Sequence, residues 1–394
     1  MNESWAPPSR KEIAIILGTR YPTEKAYGVT TAYSAKEASS LGYQVSVISP
    51  RVALNSATEP LTTNALQVNP KIPFGGWLQV LFGSKSLEIS KLAFQLHTFL
   101  FKKQLKKIPG VKNFSIYWLR DVTIAEAVSN LKPNCRIILE LHTPLRVKEI
   151  QRLRKLSRKS DLILAPISPV AVTRLKEMNF QAKIVYSPMG IDIERFSRAV
   201  PRLNQPNIQK EVVYLGKFTS LGASNGLETL LNTAKLAQHQ NRNIRFKLVG
   251  GSDSDTNYFR SLAHQLELDP GRIEITGEIN FDAVAETMAQ ADCLVLPYPT
   301  LSQFEYRYPI KIHEYSASRR PVICSDSPFL RAIISDESVT FFREGDPQSL
   351  LDAINYVLDE KNFSEIQSKV NTSFTHLSEV TWSKRTQNLL RELM

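Results

Sequence analysis

The chain has 394 residues, 42% of them hydrophobic and 22% charged, and carries a net charge of +11. That is a globular composition with length enough for two domains, and it excludes a disordered chain. No run reaches the roughly 18 apolar residues of a membrane span, and no helix-turn-helix, zinc-finger or RNP signature ties the positive charge to nucleic acid.

Residues 1–12 (MNESWAPPSRKE) lack the apolar core of a secretion signal. Cys135, Cys293 and Cys324 are far apart, and the last two sit in apolar strand patterns. Buried free thiols and a cytoplasmic setting are expected. Residues 12–17 (EIAIIL) form a continuous apolar strand, residues 18–27 a polar loop, and Gly28 opens a helical pattern over 29–41. Gly42 caps that helix, and residues 44–49 (QVSVIS) give the next strand. This is a βαβ unit without the GxGxxG fingerprint. Gly28 either lets a ligand approach the backbone or supplies a loop's positive φ.

Two stretches concentrate positive charge. Residues 85–112 carry Lys85, Lys91, Lys102, Lys103, Lys106, Lys107 and Lys112 against Glu88, with Leu92, Leu96, Phe99 and Leu100 at helical spacing. Residues 146–159 (RVKEIQRLRKLSRK) hold Glu149 as their one acid. Basic amphipathic helices either lie on anionic lipid or present a solvated charged face. Residues 73–82 (PFGGWLQVLF) add aromatics beside the first stretch. Strands follow at 115–119 and 136–141, and His142 ends the second. A histidine there can hydrogen-bond a sugar hydroxyl or a phosphate, or serve packing alone. Further strands are expected at 161–165 and 183–187.

Residues 197–210 (SRAVPRLNQPNIQK) read as an interdomain linker. A second strand–helix alternation then begins, with strands at 212–215, 246–249, 273–276, 293–296 and 321–324. Helices are expected at 226–240, 258–268, 282–290 and 310–318. Alternation of this kind implies a parallel, doubly wound sheet. Gly216, Lys217, the Gly250-Gly251 pair, Gly277, Glu278 and residues 308–314 all fall at carboxyl ends of strands, where one crevice can collect them. Lys311 can face phosphates, and Glu314, about one turn into its helix, can accept from hydroxyls beside them. Asp253 and Asp255 (GSDSD) read as a polar loop rather than a metal pair.

Several segments together carry a resemblance. They are PTEKAYGVT (22–30), PMGIDIERF (188–196), YLGKF (214–218), YPIKIHEYSASRRPVICSD (308–326) and TWSKR (381–385). The chain resembles the retaining GT-B glycosyltransferases of family four, the group 1 glycosyl transferases, over nearly its whole length. The resemblance implies two Rossmann-like domains facing a cleft. Residues 1–196, completed by a helix at 378–394, would form the acceptor domain; residues 211–377 would bind the sugar nucleotide.

The resemblance also implies roles. Lys217, with Gly216, neutralises the diphosphate. Tyr308, Pro309, Ile310 and Lys311 offer amides and a cation to the same phosphates. Glu314 holds the ribose. Gly277 and Glu278 lie near the base. Gly28 and His142 face the transferred sugar. Asn225 stands where the family usually has a second phosphate lysine, and Tyr306 where it has the first of two spaced acids. Metal-independent transfer to an unidentified hydroxyl acceptor is expected, with retention of configuration and no nucleic-acid partner. The protein would be cytoplasmic, with the two basic stretches as candidate contacts to the inner face of a membrane. The alternatives are a non-catalytic sugar-nucleotide-binding protein and an epimerase-like or phosphorylase-like enzyme on the same plan.

Overall fold

The computed structural model describes residues 11–19, 21–22, 26–50, 65–71, 87–197, 209–220, 222–280, 282–304 and 306–393. The aromatic stretch 73–82, most of the expected linker, part of the 22–30 segment and Glu305 lie outside these residues. The chain falls into two compact units, residues 1–190 with 382–394, and residues 191–381.

In the first unit the described strands are β1 (Glu12–Ile16), β2 (Gln44–Ile48), β3 (Leu66–Val68), β4 (Ile116–Leu119), β5 (Arg136–Leu141), β6 (Asp161–Pro166) and β7 (Lys183–Ile184). They form one sheet in the order β3-β2-β1-β4-β5-β6-β7, parallel throughout. Successive residues of β1 bury on opposite faces: Ile13 and Ile15 join one core, Ala14 and Ile16 the other. A strand covered on both faces must be apolar at every position, which is why β1 reads as an unbroken run. The order reverses between β1 and β4, so the crevice of this sheet opens at their carboxyl ends.

Helix α1 (Ala26–Ser40) starts earlier than its apolar pattern suggests, and Gly28 is a buried residue of its first turn rather than the residue that opens it. The first basic stretch forms α2 (Leu87–Leu105). Leu92, Phe94, Leu96 and Phe99 are exposed on α2, while Ala93, Phe101 and Leu105 are buried. The second basic stretch forms α3 (Val147–Leu156), which packs through Leu153 and Leu156 and leaves its charges outward. The C-terminal helix Trp382–Arg391 also belongs to this unit. Trp382 stacks on Tyr33 of α1, with ring centroids 5.1 Å apart, and a Cβ on Gly190 would lie 2.4 Å from the Trp382 ring.

In the second unit the main sheet comprises β8 (Lys210–Leu215), β9 (Ile244–Gly251), β10 (Ile273–Gly277), β11 (Cys293–Leu296), β12 (Val322–Ser325) and β13 (Thr340–Phe342). Their order is β10-β9-β8-β11-β12-β13, all parallel, with the reversal between β8 and β11. Ile191 and Phe196 bury in this unit's core, so the segment expected to close the first domain packs with the second. Helix α4 (Leu227–His239) follows β8, α5 (Asp253–Gln265) follows β9, and α6 (Lys311–Ala317) precedes β12. Helix α5 begins at Asp253, five residues before the expected start at 258, because the Ser252 hydroxyl caps it by accepting from the Asp255 amide. The GSDSD segment is therefore a helix start, not a loop. β13 was not expected from the sequence, since three residues are too few to show a period. All three cysteines are buried and unpaired.

Candidate functional site

The second unit assembles its candidate site at the reversal between β8 and β11. The chain leaves β8 at Gly216, and Lys217 follows as an exposed side chain. The Lys217 carbonyl accepts from the Tyr214 hydroxyl at 2.5 Å and from Asn225 Nδ2 at 2.6 Å. Those two bonds fix the turn that presents the Lys217 ammonium. Glycines line the neighbouring strand ends. A Cβ on Gly250, whose φ is +111°, would lie 2.6 Å from the Gly216 carbonyl oxygen. On Gly251 it would lie 2.5 Å from the Phe218 ring, and on Gly277 it would lie 3.5 Å from the Gly251 carbonyl. Side chains are excluded at Gly250 and Gly251, so the floor there is backbone.

Helix α6 is pinned to this floor. β11 pairs with β8 only through Cys293–Val212 and Leu294–Val213. Beyond that point the buried Tyr315 hydroxyl takes over the ladder at Leu215: it accepts from the amide at 2.7 Å and donates to the carbonyl at 3.0 Å. Lys311, the first residue of α6, thereby runs past Gly216, whose Cβ would be 3.7 Å from Lys311 Cε. Lys311 and Glu314 are brought together more closely than the sequence suggests. Lys311 Nζ lies 2.6 Å from Glu314 Oε2. Glu314 is only 8% exposed, and that oxygen accepts no hydrogen bond. The contact is an ion pair between a buried carboxylate and a half-buried ammonium.

The backbone at the start of α6 is less available than expected. The Ile312 amide donates to the Pro309 carbonyl and the His313 amide to the Ile310 carbonyl, each at 3.0 Å. Two of the donors that a helix start usually leaves open are spent locally. The helix itself has seven residues, so the side-chain cations carry most of the positive field. Tyr308 is buried and its hydroxyl hydrogen-bonds His313 Nε2. Burial, with His376 nearby, pushes His313 down to about 3, so this imidazole is neutral and supports Tyr308. Tyr306 and Ile310 are half-buried and Pro309 is buried. Gly277 ends β10 half-buried, and Glu278 beyond it is exposed on the edge strand's loop.

One residue of this site was missed by sequence reasoning. Arg307 Nη1 donates to Asn225 Oδ1 at 2.8 Å. Its guanidinium lies 4.2 Å from the Tyr298 ring centroid and 4.9 Å from that of Phe304. A lone arginine between aromatics has no periodic signature, so only contacts reveal it. Asp255, by contrast, accepts from Thr219 Oγ1 at 3.1 Å and Ser252 Oγ at 2.8 Å, as part of the α5 cap.

The first unit gathers a second polar cluster at the carboxyl ends of β4 and β5, around the expected His142 and the unexpected Glu140. Glu140 is fully buried. Its carboxylate accepts from Trp118 Nε1 at 2.7 Å and Arg385 Nη2 at 2.6 Å through one oxygen, and through the other from Arg120 Nε at 2.8 Å and His142 Nε2 at 2.9 Å. Burial alone would raise this carboxyl. The Arg120 and Arg385 guanidiniums and the His142 hydrogen bond override it and hold the group well below the usual carboxylate range. His142 is shifted down by burial and by Arg120, so the ring donates to Glu140 as a neutral imidazole near neutral pH. Arg120 also donates to Thr30 Oγ1 at 2.6 Å, two residues beyond Gly28. Arg385 also donates to the Pro188 carbonyl at 3.0 Å, so Glu140 ties the last helix to the sheet.

Two sheets of this kind, each with a crevice at its strand reversal, define a two-domain Rossmann-like protein of the GT-B class. Residues 209–360 match the family profile of the glycosyl transferases group 1. No curated protein sequence matches the chain. Its fold is shared with sucrose-phosphate synthase from Thermosynechococcus elongatus, at 16% identity and a TM-score of 0.71, covering 98% of this chain and 99% of that one. A glycosyltransferase from Rickettsia africae matches at 15% identity and a TM-score of 0.69, covering 98% of each chain. HepE from Anabaena, solved with UDP and glucose, matches at 15% identity and a TM-score of 0.65, covering 98% of this chain and 99% of that one.

Proposed function

We propose that this protein is a glycosyltransferase that moves a sugar from a nucleoside-diphosphate donor to a hydroxyl acceptor. The observation that carries the reading is that Lys311 and Glu314 meet beside Gly216, one residue before Lys217, at the strand reversal between β8 and β11. Departure of a nucleoside diphosphate needs positive charge at the leaving oxygens, and two ammonium groups beside an open floor supply it. The buried Glu314 carboxylate suits a ribose hydroxyl. When phosphates draw Lys311 away, Glu314 needs a new donor, so donor binding and the carboxylate's partner exchange are coupled. Solved structures of the same fold contain UDP and UDP-glucose, which supports a uridine nucleotide as the first donor to test.

Retention of configuration, and the assignment of Gly28 and His142 to the transferred sugar, rest on family resemblance. The exposed apolar residues of α2 beside Lys102 and Lys103 support contact with an anionic membrane surface, and so a lipid-linked acceptor.

Calorimetric titration with UDP, GDP and ADP tests the reading. One of the three should bind, and Lys217→Ala and Glu314→Ala should each weaken it by about tenfold or more, the loss of one charge-assisted hydrogen bond. No binding of any of the three, or unchanged binding in both variants, would overturn it. Product analysis with and without acceptor separates transfer from a receptor or an epimerase-like enzyme.

A further inference from the structure

We infer that Arg307 is a third diphosphate-binding cation of this site, held in place by Asn225 and the rings of Tyr298 and Phe304. The inference rests on the donor reading above and deepens it. Three observations carry it. First, Arg307 is joined to the loop that presents Lys217: Asn225 accepts from Arg307 at 2.8 Å and donates to the Lys217 carbonyl at 2.6 Å. Second, Asn225 is wholly buried, so this link is internal to the fold rather than a surface contact. Third, Arg307 is half-buried with its guanidinium carbon over the Tyr298 ring at 4.2 Å, and the side chain it hydrogen-bonds among the described residues is an amide.

A guanidinium bonded to a neutral amide keeps its full charge, and stacking restricts its rotamers before any ligand arrives. Its planar fork has five donors, and Asn225 occupies one of them. Phosphate oxygens match the others in geometry and charge. Lys311 approaches Gly216 from α6, while Arg307 approaches the same loop through Asn225. A diphosphate bound at Gly216 and Lys217 would therefore have a cation reaching the same loop from each of two elements. Tyr214 sits between: its hydroxyl bonds the Lys217 carbonyl at 2.5 Å, and Arg307 is close enough to pull its phenol down against the larger effect of burial. The chain has asparagine at 225 and still places a cation beside the loop, from a different element.

Titrations of UDP, GDP and ADP into the full-length protein test this. With the nucleotide that binds wild type, Arg307→Ala should weaken affinity roughly ten- to hundredfold. Arg307→Lys keeps the charge and loses the fork, so its affinity should fall between those of wild type and Arg307→Ala. If Lys is as damaging as Ala, the residue acts by shape and the inference falls; if Ala binds like wild type, it falls as well. Should Arg307→Ala fail to fold, Asn225→Asp decides. That change sets a carboxylate beside Arg307 but also removes the amide that donates to the Lys217 carbonyl, so it is read against Asn225→Leu, which removes the same donor without adding charge: Asn225→Asp should bind the nucleotide about tenfold more weakly than Asn225→Leu, and equal affinities would overturn the inference. Wild-type protein that binds none of the three nucleotides would sink the donor reading itself, and this inference with it.

Discussion

Glu140→Gln keeps the shape of the side chain and removes its charge. In the native protein that charge meets Arg120, Arg385, His142 and Trp118 in a cluster where Arg385 is 1% and Glu140 0% exposed. Without it, two guanidiniums face each other across a neutral amide in a buried site. Breaking a buried pair by removing one partner costs roughly 3–5 kcal/mol, because the surviving charge stays desolvated. The amide can still accept some of the hydrogen bonds, so the lower part of that range is expected. The loss should fall on the first unit and free the C-terminal helix, which Arg385 anchors through Glu140 and Pro188.

Tryptophan fluorescence isolates this effect. The chain has 4 tryptophans, none between residues 191 and 381, and the two among the described residues, Trp118 and Trp382, belong to the first unit. Urea titration followed by tryptophan emission therefore reports that unit alone, and linear extrapolation gives the difference. The pH dependence supplies a second check. The folded Glu140 pKa is depressed, so its contribution is fully present above the unfolded value of about 4.3 and is lost as pH falls through that value toward the folded one. Wild type should lose about 1.4 kcal/mol more per pH unit than the variant across that window. A Glu140→Gln protein within about 1 kcal/mol of wild type at neutral pH, or with the same acid dependence, would refute the argument.

Two further outcomes follow from other parts of the fold. Gly226, at φ +89°, opens α4, and a Cβ there would lie 1.8 Å from the Pro297 carbonyl oxygen. Gly226→Ala should therefore destabilise the second unit by roughly 2–4 kcal/mol, the sum of backbone strain and a clash that only backbone movement relieves; tyrosine emission or calorimetry should show this, and a neutral result would mean that the loops separate freely. Wild-type protein should float with anionic liposomes at low salt and be released at high salt, and Leu92→Glu with Phe99→Glu on exposed α2 should abolish flotation. Failure of wild type to float would remove the membrane reading.

Length and apolar runs were enough to read the strand–helix alternation and the parallel sheets, because a strand buried on both faces must be apolar at every position. Cys293–Leu296 and Arg136–Leu141 have the bounds that their patterns suggest. The chain positions of Lys217, Lys311 and Glu314 were equally legible, since strand ends can be counted. Most of the partners were not. The i,i+3 spacing of Lys311 and Glu314 does announce their pairing, but no spacing announces that Tyr315 completes the β8 ladder or that Arg307 reaches the Lys217 loop through Asn225. Glu140 lies in a strand whose alternation marks it only as an interruption, and its partners come from positions 118, 120, 142 and 385. Sequence periodicity encodes which face of an element is buried. Charge pairing depends on which distant elements share that burial, and only the tertiary arrangement sets it.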